Sequence, residues 1–97
     1  MPDTTPRIEL ARRAVRDLRK MDTPERRRIR EALDALAADA GNLDVKALAG
    51  RTPWRRMRVG DVRVLYRPLG PDEGHPGWFV ARIIDRRELE RAVRSLR

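Results

Sequence analysis

The sequence predicts a small α+β domain with the element order β-α-α-β-β-β-α and a twisted, mostly antiparallel sheet. Three observations support this. Apolar residues recur with the helical period over the first 40 residues, and the period changes to two between residues 54 and 67. A turn-rich segment then leads into a third, strongly apolar strand. At 97 residues the chain has the size of one domain, so residues 1–97 are interpreted as a single unit.

The N-terminal half is expected to form one strand and two helices. Residues 5–9 predict a short strand, which Pro6 confines to a sheet edge because proline lacks an N–H. Thr23-Pro24-Glu25 is typical of a helix start, with Thr23 as the cap. The turn between the helices is short, so they should form an antiparallel hairpin that covers one face of the sheet. Their apolar stripes are Ala11, Ala14, Val15 and Leu18, then Ile29, Ala32, Leu33, Leu36 and Ala37.

The C-terminal half is expected to supply the remaining strands and a short last helix. Residues 43–53 are interpreted as a connection, followed by alternating strands at 54–59 and 62–67 that Gly60-Asp61 joins in a tight turn. Residues 68–77 form a loop rich in proline and glycine. Residues 78–84 are the most apolar strand and are expected to be central, and Asp85 is placed to cap the last helix.

Charge is the most informative part of the composition. The formal net charge is +8, and 21 of the 23 basic residues are arginine. Residues 1–48 hold 11 basic and 9 acidic side chains, whereas residues 49–97 hold 12 and 6, so the excess lies in the second half. Arginine presents a planar fork of donors that suits phosphate. The expected partners are therefore polyanions: RNA, DNA or an acidic protein segment.

Arginines on the two alternating strands form the strongest candidate site. Arg56, Arg58, Arg63 and Arg67 should project from the sheet face opposite the core, and Arg82 on the last strand is expected to join them. Cations this close repel one another, which costs stability unless an anion is bound. The alternative is an ordinary solvated face in an arginine-rich protein.

Arg86 and Arg87 form a second candidate site, because they flank the start of the last helix, where backbone N–H groups also attract phosphate. Trp54 is a candidate platform for a stacked base. His75 lies in a loop, where a solvated role is the simpler interpretation. With one histidine and no cysteine we expect no metal site and no cofactor, although a carboxylate site for Mg²⁺ stays open.

Two segments carry a resemblance to a known family. LDVKALAGRTPWRRMRVGDVRVLYR and VARIIDRRELERAV resemble the second half of RelE/ParE toxins, which show a K-x-L-x-G element, then V-G-D-x-R-V-x-Y and a final H-R-R-like motif. The matching residues here are Lys46, Leu48, Gly50, Arg56, Arg58, Val59, Gly60, Asp61, Arg63, Tyr66, Arg86 and Arg87. The front half, with a short strand and two helices, fits the same family, so the resemblance covers nearly the whole chain.

The resemblance implies a bacterial type II toxin that cuts mRNA on the ribosome by attack of a 2′-OH on the adjacent phosphate. It implies Arg63, Arg86 and Arg56 as catalytic residues, and Arg58 and Arg87 as RNA-binding residues. Arg67, Arg82 and Trp54 are further RNA-binding candidates because of their own places on the strands. It also implies an acidic antitoxin, mRNA on the ribosome as the target and a toxin–antitoxin hetero-oligomer. No stretch is long and apolar enough for a membrane span, and the N-terminus lacks a signal peptide, so a cytoplasmic protein is expected.

The chain also departs from the family pattern. The histidine of the H-R-R motif is Asp85 here, and Glu90 stands near the position of a family tyrosine. Arginine is a poor general base. Three other residues are candidates for the proton acceptor, with no order among them: Asp85, Glu90 and His75. Two alternatives therefore stay open: a ParE-type toxin that inhibits DNA gyrase without cutting RNA, and a degenerate toxin that only binds its antitoxin.

Overall fold

The computed structural model describes residues 6–96, so the first residue of the expected strand at 5–9 lies outside the described part of the chain. Helices and strands follow the order β-α-α-β-β-β-β-α. They are β1 (Arg7–Leu10), α1 (Arg12–Arg19), α2 (Thr23–Ala37), β2 (Asp44–Ala47), β3 (Arg55–Val59), β4 (Val62–Pro68), β5 (Gly77–Asp85) and α3 (Leu89–Arg94). Single 3-10 turns occupy Pro71–Glu73 and Arg86–Glu88.

The five strands form one sheet in the order β1-β5-β4-β3-β2. β1 runs parallel to β5, and every other neighbouring pair is antiparallel. The predicted α+β class and mostly antiparallel sheet are therefore confirmed. Gly77 lies opposite Arg7, where a Cβ atom would collide with the Arg7 backbone and where φ is +144°, so glycine is required for β1 to pair.

The strand β2 was missed by the sequence interpretation, which treated residues 43–53 as a connection. All four residues of β2 are exposed, so the segment has no alternation of apolar and polar positions to reveal a strand. Pairing with β3 defines it instead, with Asp44 opposite Arg58 and Lys46 opposite Arg56. This strand brings two further charged side chains to the arginine-bearing strands.

The expected central position of the last strand is also wrong. The middle of the sheet is β4, and β5 lies between it and the edge strand β1. Val64, Leu65 and Tyr66 of β4 are all buried, because helices cover both faces of the sheet at this point. A register shift opposite Leu65 and Tyr66 interrupts the pairing with β5.

The larger core fills one sheet face, which α1 and α2 both cover as predicted. Its buried members are Ala14, Ile29, Leu33, Leu36, Met57, Val62, Val64, Tyr66, Val80 and Ile83. The cap of α2 differs from the expectation, because the side chain of Asp22, not that of Thr23, accepts a hydrogen bond from the Glu25 N–H (2.9 Å).

The opposite sheet face is only partly covered. α3 packs there against Leu65 and Ile84 through Ala92, with Leu89, Val93 and Leu96 at the margin. This cluster leaves open the part of the face next to the β3–β4 turn. In that turn the φ angle of Gly60 is positive (+60°), whereas that of Asp61 is not positive. This combination is typical of a type II′ hairpin turn. Across residues 6–96, no helix is long and apolar enough to cross a membrane.

Candidate anion-binding site

Two arginines face each other beside the β3–β4 turn. Arg58 and Arg63 are direct cross-strand partners on the antiparallel pair, which places their Cβ atoms about 5 Å apart. One Arg63 Nη atom donates to the carbonyl oxygens of Gly60 (2.9 Å) and Val62 (3.2 Å), which holds its guanidinium at the turn. Arg58 is exposed and has no hydrogen-bond or ion-pair partner among residues 6–96.

Arg86 reaches the same turn from the end of β5. Its backbone N–H donates to the carbonyl of Asp61 (2.8 Å), and its Nε lies 3.8 Å from the Asp61 carboxylate. The two candidate sites predicted from the sequence, one on the strands and one at the last helix, are thus joined by Arg86 at one place.

The electrostatics of Arg63 reflects the cations around it. Burial lowers the pKa of the Arg63 guanidinium, and the charges of Arg58, Arg56 and Arg86 lower it further. Neighbouring cations lower a guanidinium pKa because they disfavour its charged form. A bound anion would relieve this repulsion, so the cluster is a candidate site for negative charge.

Lys46 and Arg56 extend the site onto the strand at the sheet edge. They are cross-strand partners of β2 and β3, on the same face as Arg58 and Arg63. Lys46 is exposed and, within the described chain, unpaired. It was not predicted as a site residue, and its place in the K-x-L-x-G motif was the only sequence signal for it. We call Lys46, Arg56, Arg58, Arg63 and Arg86 the basic patch.

Arg67 does not belong to the basic patch, which corrects the prediction. It donates to Glu73 Oε1 (2.8 Å), and its guanidinium lies over the rings of Phe79 (4.6 Å) and Trp54 (5.8 Å). Only 26% of its side chain is exposed. The 3-10 turn that supplies Glu73 lies at the other end of β4 from Gly60, so Arg67 is neutralised by the protein itself.

Arg82 was also misplaced by the sequence interpretation. Its Nε donates to Asp17 Oδ2 (2.9 Å) and one Nη to Oδ1 (3.2 Å), so it points toward α1. The same Oδ2 accepts the backbone N–H of Ile83 (2.9 Å). Asp17 therefore fastens α1 to the part of β5 that extends beyond β1, and Arg82 has a structural role.

Trp54 and Arg87 are placed differently from the expectation as well. The Trp54 side chain is buried and meets the Phe79 ring edge-on at 6.5 Å, which leaves little ring surface for a stacked base. Arg87 is exposed, but its Nε donates to Asp85 (3.0 Å). Asp85 also accepts the Arg87 N–H (2.9 Å), so this carboxylate caps the 3-10 turn before α3, and not the last helix itself as the sequence had suggested.

None of the three candidate proton acceptors, His75, Asp85 and Glu90, is a free proton acceptor within the basic patch. His75 lies in the loop at the far end of β4 and contacts the carbonyl of Pro76. The Asp85 pKa is lowered by its hydrogen bonds to Arg87, which weakens it as a proton acceptor. Glu90 is exposed on α3. Within residues 6–96, no three histidine, cysteine, aspartate or glutamate side chains are grouped to hold a metal ion.

The fold resembles that of chains in two solved RelB–RelE antitoxin–toxin complexes. The RelE–RelB complex from Methanococcus jannaschii matches with a TM-score of 0.67 and 22% identity over 87% of this chain and 96% of that chain. The RelE–RelB complex from Pyrococcus horikoshii OT3 matches with the same TM-score and 25% identity, over 84% and 96%. No curated protein matches the chain.

A family model settles the family. The model described as ParE toxin of the type II toxin–antitoxin system parDE matches residues 8–90. The chain belongs to this family and is a toxin of a type II toxin–antitoxin system, within the wider RelE/ParE group.

Proposed function

We propose that this toxin acts on RNA in the cytoplasm, and that it cleaves mRNA on the ribosome. The observation that carries the proposal is the basic patch, in which Arg58 and Arg63 lie directly opposite each other and Arg86 joins them at the turn. RNA binding to such a patch is driven by neutralisation of phosphate charge. The patch lies on an open sheet face, which a single strand of RNA can reach.

In this proposal, Arg63 stabilises the reacting phosphate. The carbonyls of Gly60 and Val62 fix its guanidinium before any ligand arrives. Fixed donors stabilise the negative charge that develops when the 2′-OH attacks phosphorus, since they need no reorganisation during the reaction. Arg56 and Arg86 flank the same phosphate in this proposal. Arginine does not accept protons near neutral pH, so we propose that the ribosome completes the acid–base arrangement.

Mapping the ends of a translated mRNA tests the proposal. Purified ribosomes translating a defined message are incubated with the toxin, and new 5′ ends are located by primer extension. New ends within codons in the presence of the toxin are expected, with the same message intact when ribosomes are omitted. Intact message at toxin concentrations that arrest growth would contradict the proposal.

Inhibition of DNA gyrase is the second candidate. The family model is that of a ParE toxin, and the three candidate proton acceptors among residues 6–96 are absent from the basic patch or held by other groups. Inhibition of supercoiling by micromolar toxin, with mRNA left intact, would favour this candidate. A toxin that neither cleaves mRNA nor inhibits gyrase, and that does not arrest growth in the absence of its antitoxin, would be the degenerate form.

The partner is proposed to be an acidic antitoxin, since the two solved structures named above are RelB–RelE antitoxin–toxin complexes. A groove of about 600 Å³ between the edge strand β1 and α2 fits such a segment. Ile8, Leu10 and Leu33 supply apolar lining, and Arg27 and Arg30 line the groove beside them. An antitoxin segment with alternating apolar and acidic residues matches both features.

Charge reversal tests this docking site. Arg27→Glu with Arg30→Glu is expected to weaken binding of the antitoxin encoded by the neighbouring open reading frame at least 10-fold, measured by titration calorimetry. RNA binding at the distant basic patch should change much less. Unchanged antitoxin affinity would rule out this groove as the docking site.

A further inference from the structure

An acidic residue stands inside the basic patch. Asp44 is the first residue of β2 and lies opposite Arg58, which in turn lies opposite Arg63. One Arg56 Nη atom donates to both Asp44 Oδ1 (3.0 Å) and the Asp44 carbonyl (3.2 Å). A carboxylate thus already binds one guanidinium of the basic patch, whereas Arg58 and Lys46 have no ion-pair partner among residues 6–96.

The charges around Asp44 keep it ionised. A hydrogen bond from Arg56 lowers the Asp44 pKa, and the charges of Arg56, Arg58 and Arg63 lower it further. The Asp44 side chain is 54% exposed, so it meets an arriving ligand directly. Carboxylate and phosphate oxygens use the same donors of a guanidinium, so an RNA phosphate competes with Asp44 for Arg56.

We propose that Asp44 is a built-in counter-anion of the basic patch, which an RNA phosphate displaces from Arg56 on binding. Asp44 then lowers RNA affinity and keeps the side chain of Arg56 in place while no ligand is bound. The proposal rests on the proposed RNA function.

A second ion pair in the protein shows what distinguishes Asp44. The pair between Asp17 and Arg82 is 11% and 15% exposed, and Asp17 also accepts the Ile83 N–H. Displacing Asp17 would leave a backbone donor unsatisfied. The Asp44 carboxylate accepts no backbone N–H among the described residues. An ion pair with so exposed a carboxylate adds little to stability. Displacement at Arg56 is therefore easy, whereas displacement at Arg82 is not.

The test compares the RNA affinity of charge-matched variants. The probe is a 20-nucleotide single-stranded RNA with 2′-O-methyl groups, which has no hydroxyl to attack its own phosphates. Its dissociation constant is measured by fluorescence anisotropy at several salt concentrations. Asp44→Asn is expected to tighten binding about 3- to 10-fold at low salt. Asp72→Asn, the same charge change in the loop at the other end of β4, should have less than a 2-fold effect.

A double variant shows whether Asp44 acts through Arg56. In an Arg56→Gln background, Asp44→Asn should tighten binding less than 2-fold, because the guanidinium that it would release is gone. An equal gain in both backgrounds, no gain from Asp44→Asn, or no RNA binding by any variant overturns the proposal.

Cleavage of translated mRNA, measured separately, tests the proposed function by itself. Tighter binding by Asp44→Asn with intact mRNA upholds the counter-anion and refutes the nuclease. Cleaved mRNA without that gain refutes only the counter-anion.

Discussion

Arg63 and Arg67 lie four residues apart on β4 and project from the same face of the sheet, yet their guanidinium groups have opposite surroundings. Arg67 is closed off by Glu73 and by the rings of Phe79 and Trp54. Arg63 is held only by backbone carbonyls and is surrounded by other cations. The strand places both arginines equally well. Side chains that arrive from loops and neighbouring strands decide which of them is available to a ligand.

The largest expected effect separates these two arginines directly. Arg63→Ala should lower the rate of mRNA cleavage about 100-fold, as the loss of one fixed donor to a developing charge does in other enzymes. Arg67→Ala should lower it less than about 3-fold on the same scale. Both rates are measured with translating ribosomes, and thermal unfolding checks that each variant is folded. Equal losses in the two variants would break the comparison between the two ends of β4.

The pair between Asp17 and Arg82 provides the next largest effect, this time on stability. Asp17→Asn should lower the free energy of unfolding by roughly 2 kcal/mol, because it weakens two hydrogen bonds from Arg82 and one from the Ile83 N–H. Urea unfolding measures the change. The charge-matched control is Glu31→Gln, at an exposed position of α2. RNA affinity should stay within 2-fold. A large loss of RNA affinity in folded Asp17→Asn would place Arg82 in the functional site after all.

Acid titration gives the smallest effect and tests how Arg67 is neutralised. The Glu73 pKa is lowered from its ordinary value of 4.5, first by the Gly70 N–H and then by Arg67. Because the folded pKa is the lower one, the stabilisation is complete above about pH 4.5 and is lost as the pH falls through the folded pKa. Glu73→Gln should therefore flatten the decline in melting temperature below pH 4.5. An unchanged decline would show that the contacts of Glu73 with the Gly70 N–H and with Arg67 add nothing to stability.

The sequence predicted the fold well, because burial imposes a period that can be recognised. The helical stripes of α1 and α2 and the alternation of β3 and β4 all have a buried face. The strand β2 has no buried face, so the sequence pattern predicted neither the strand nor the place of Lys46 on it. The placement of Arg58 and Arg63 side by side could be predicted, because the turn motif fixes the register. The ion pairs of Arg67 and Arg82 could not, because Glu73 and Asp17 lie outside the strands that carry these arginines and no local pattern links them.

The central claim is that the basic patch, and not the total charge of the protein, binds the phosphate backbone. It is tested most directly by the salt dependence of RNA binding in two variants with equal net charge. One is Arg58→Ala with Arg63→Ala. The other is Arg67→Ala with Arg13→Ala, where Arg13 is exposed on α1.

Each lost phosphate contact reduces the slope of log K against log salt by about 0.7 for a single strand. The account predicts a reduction of about 1.4 in the first variant and a nearly unchanged slope in the second. Equal reductions in the two variants would contradict it.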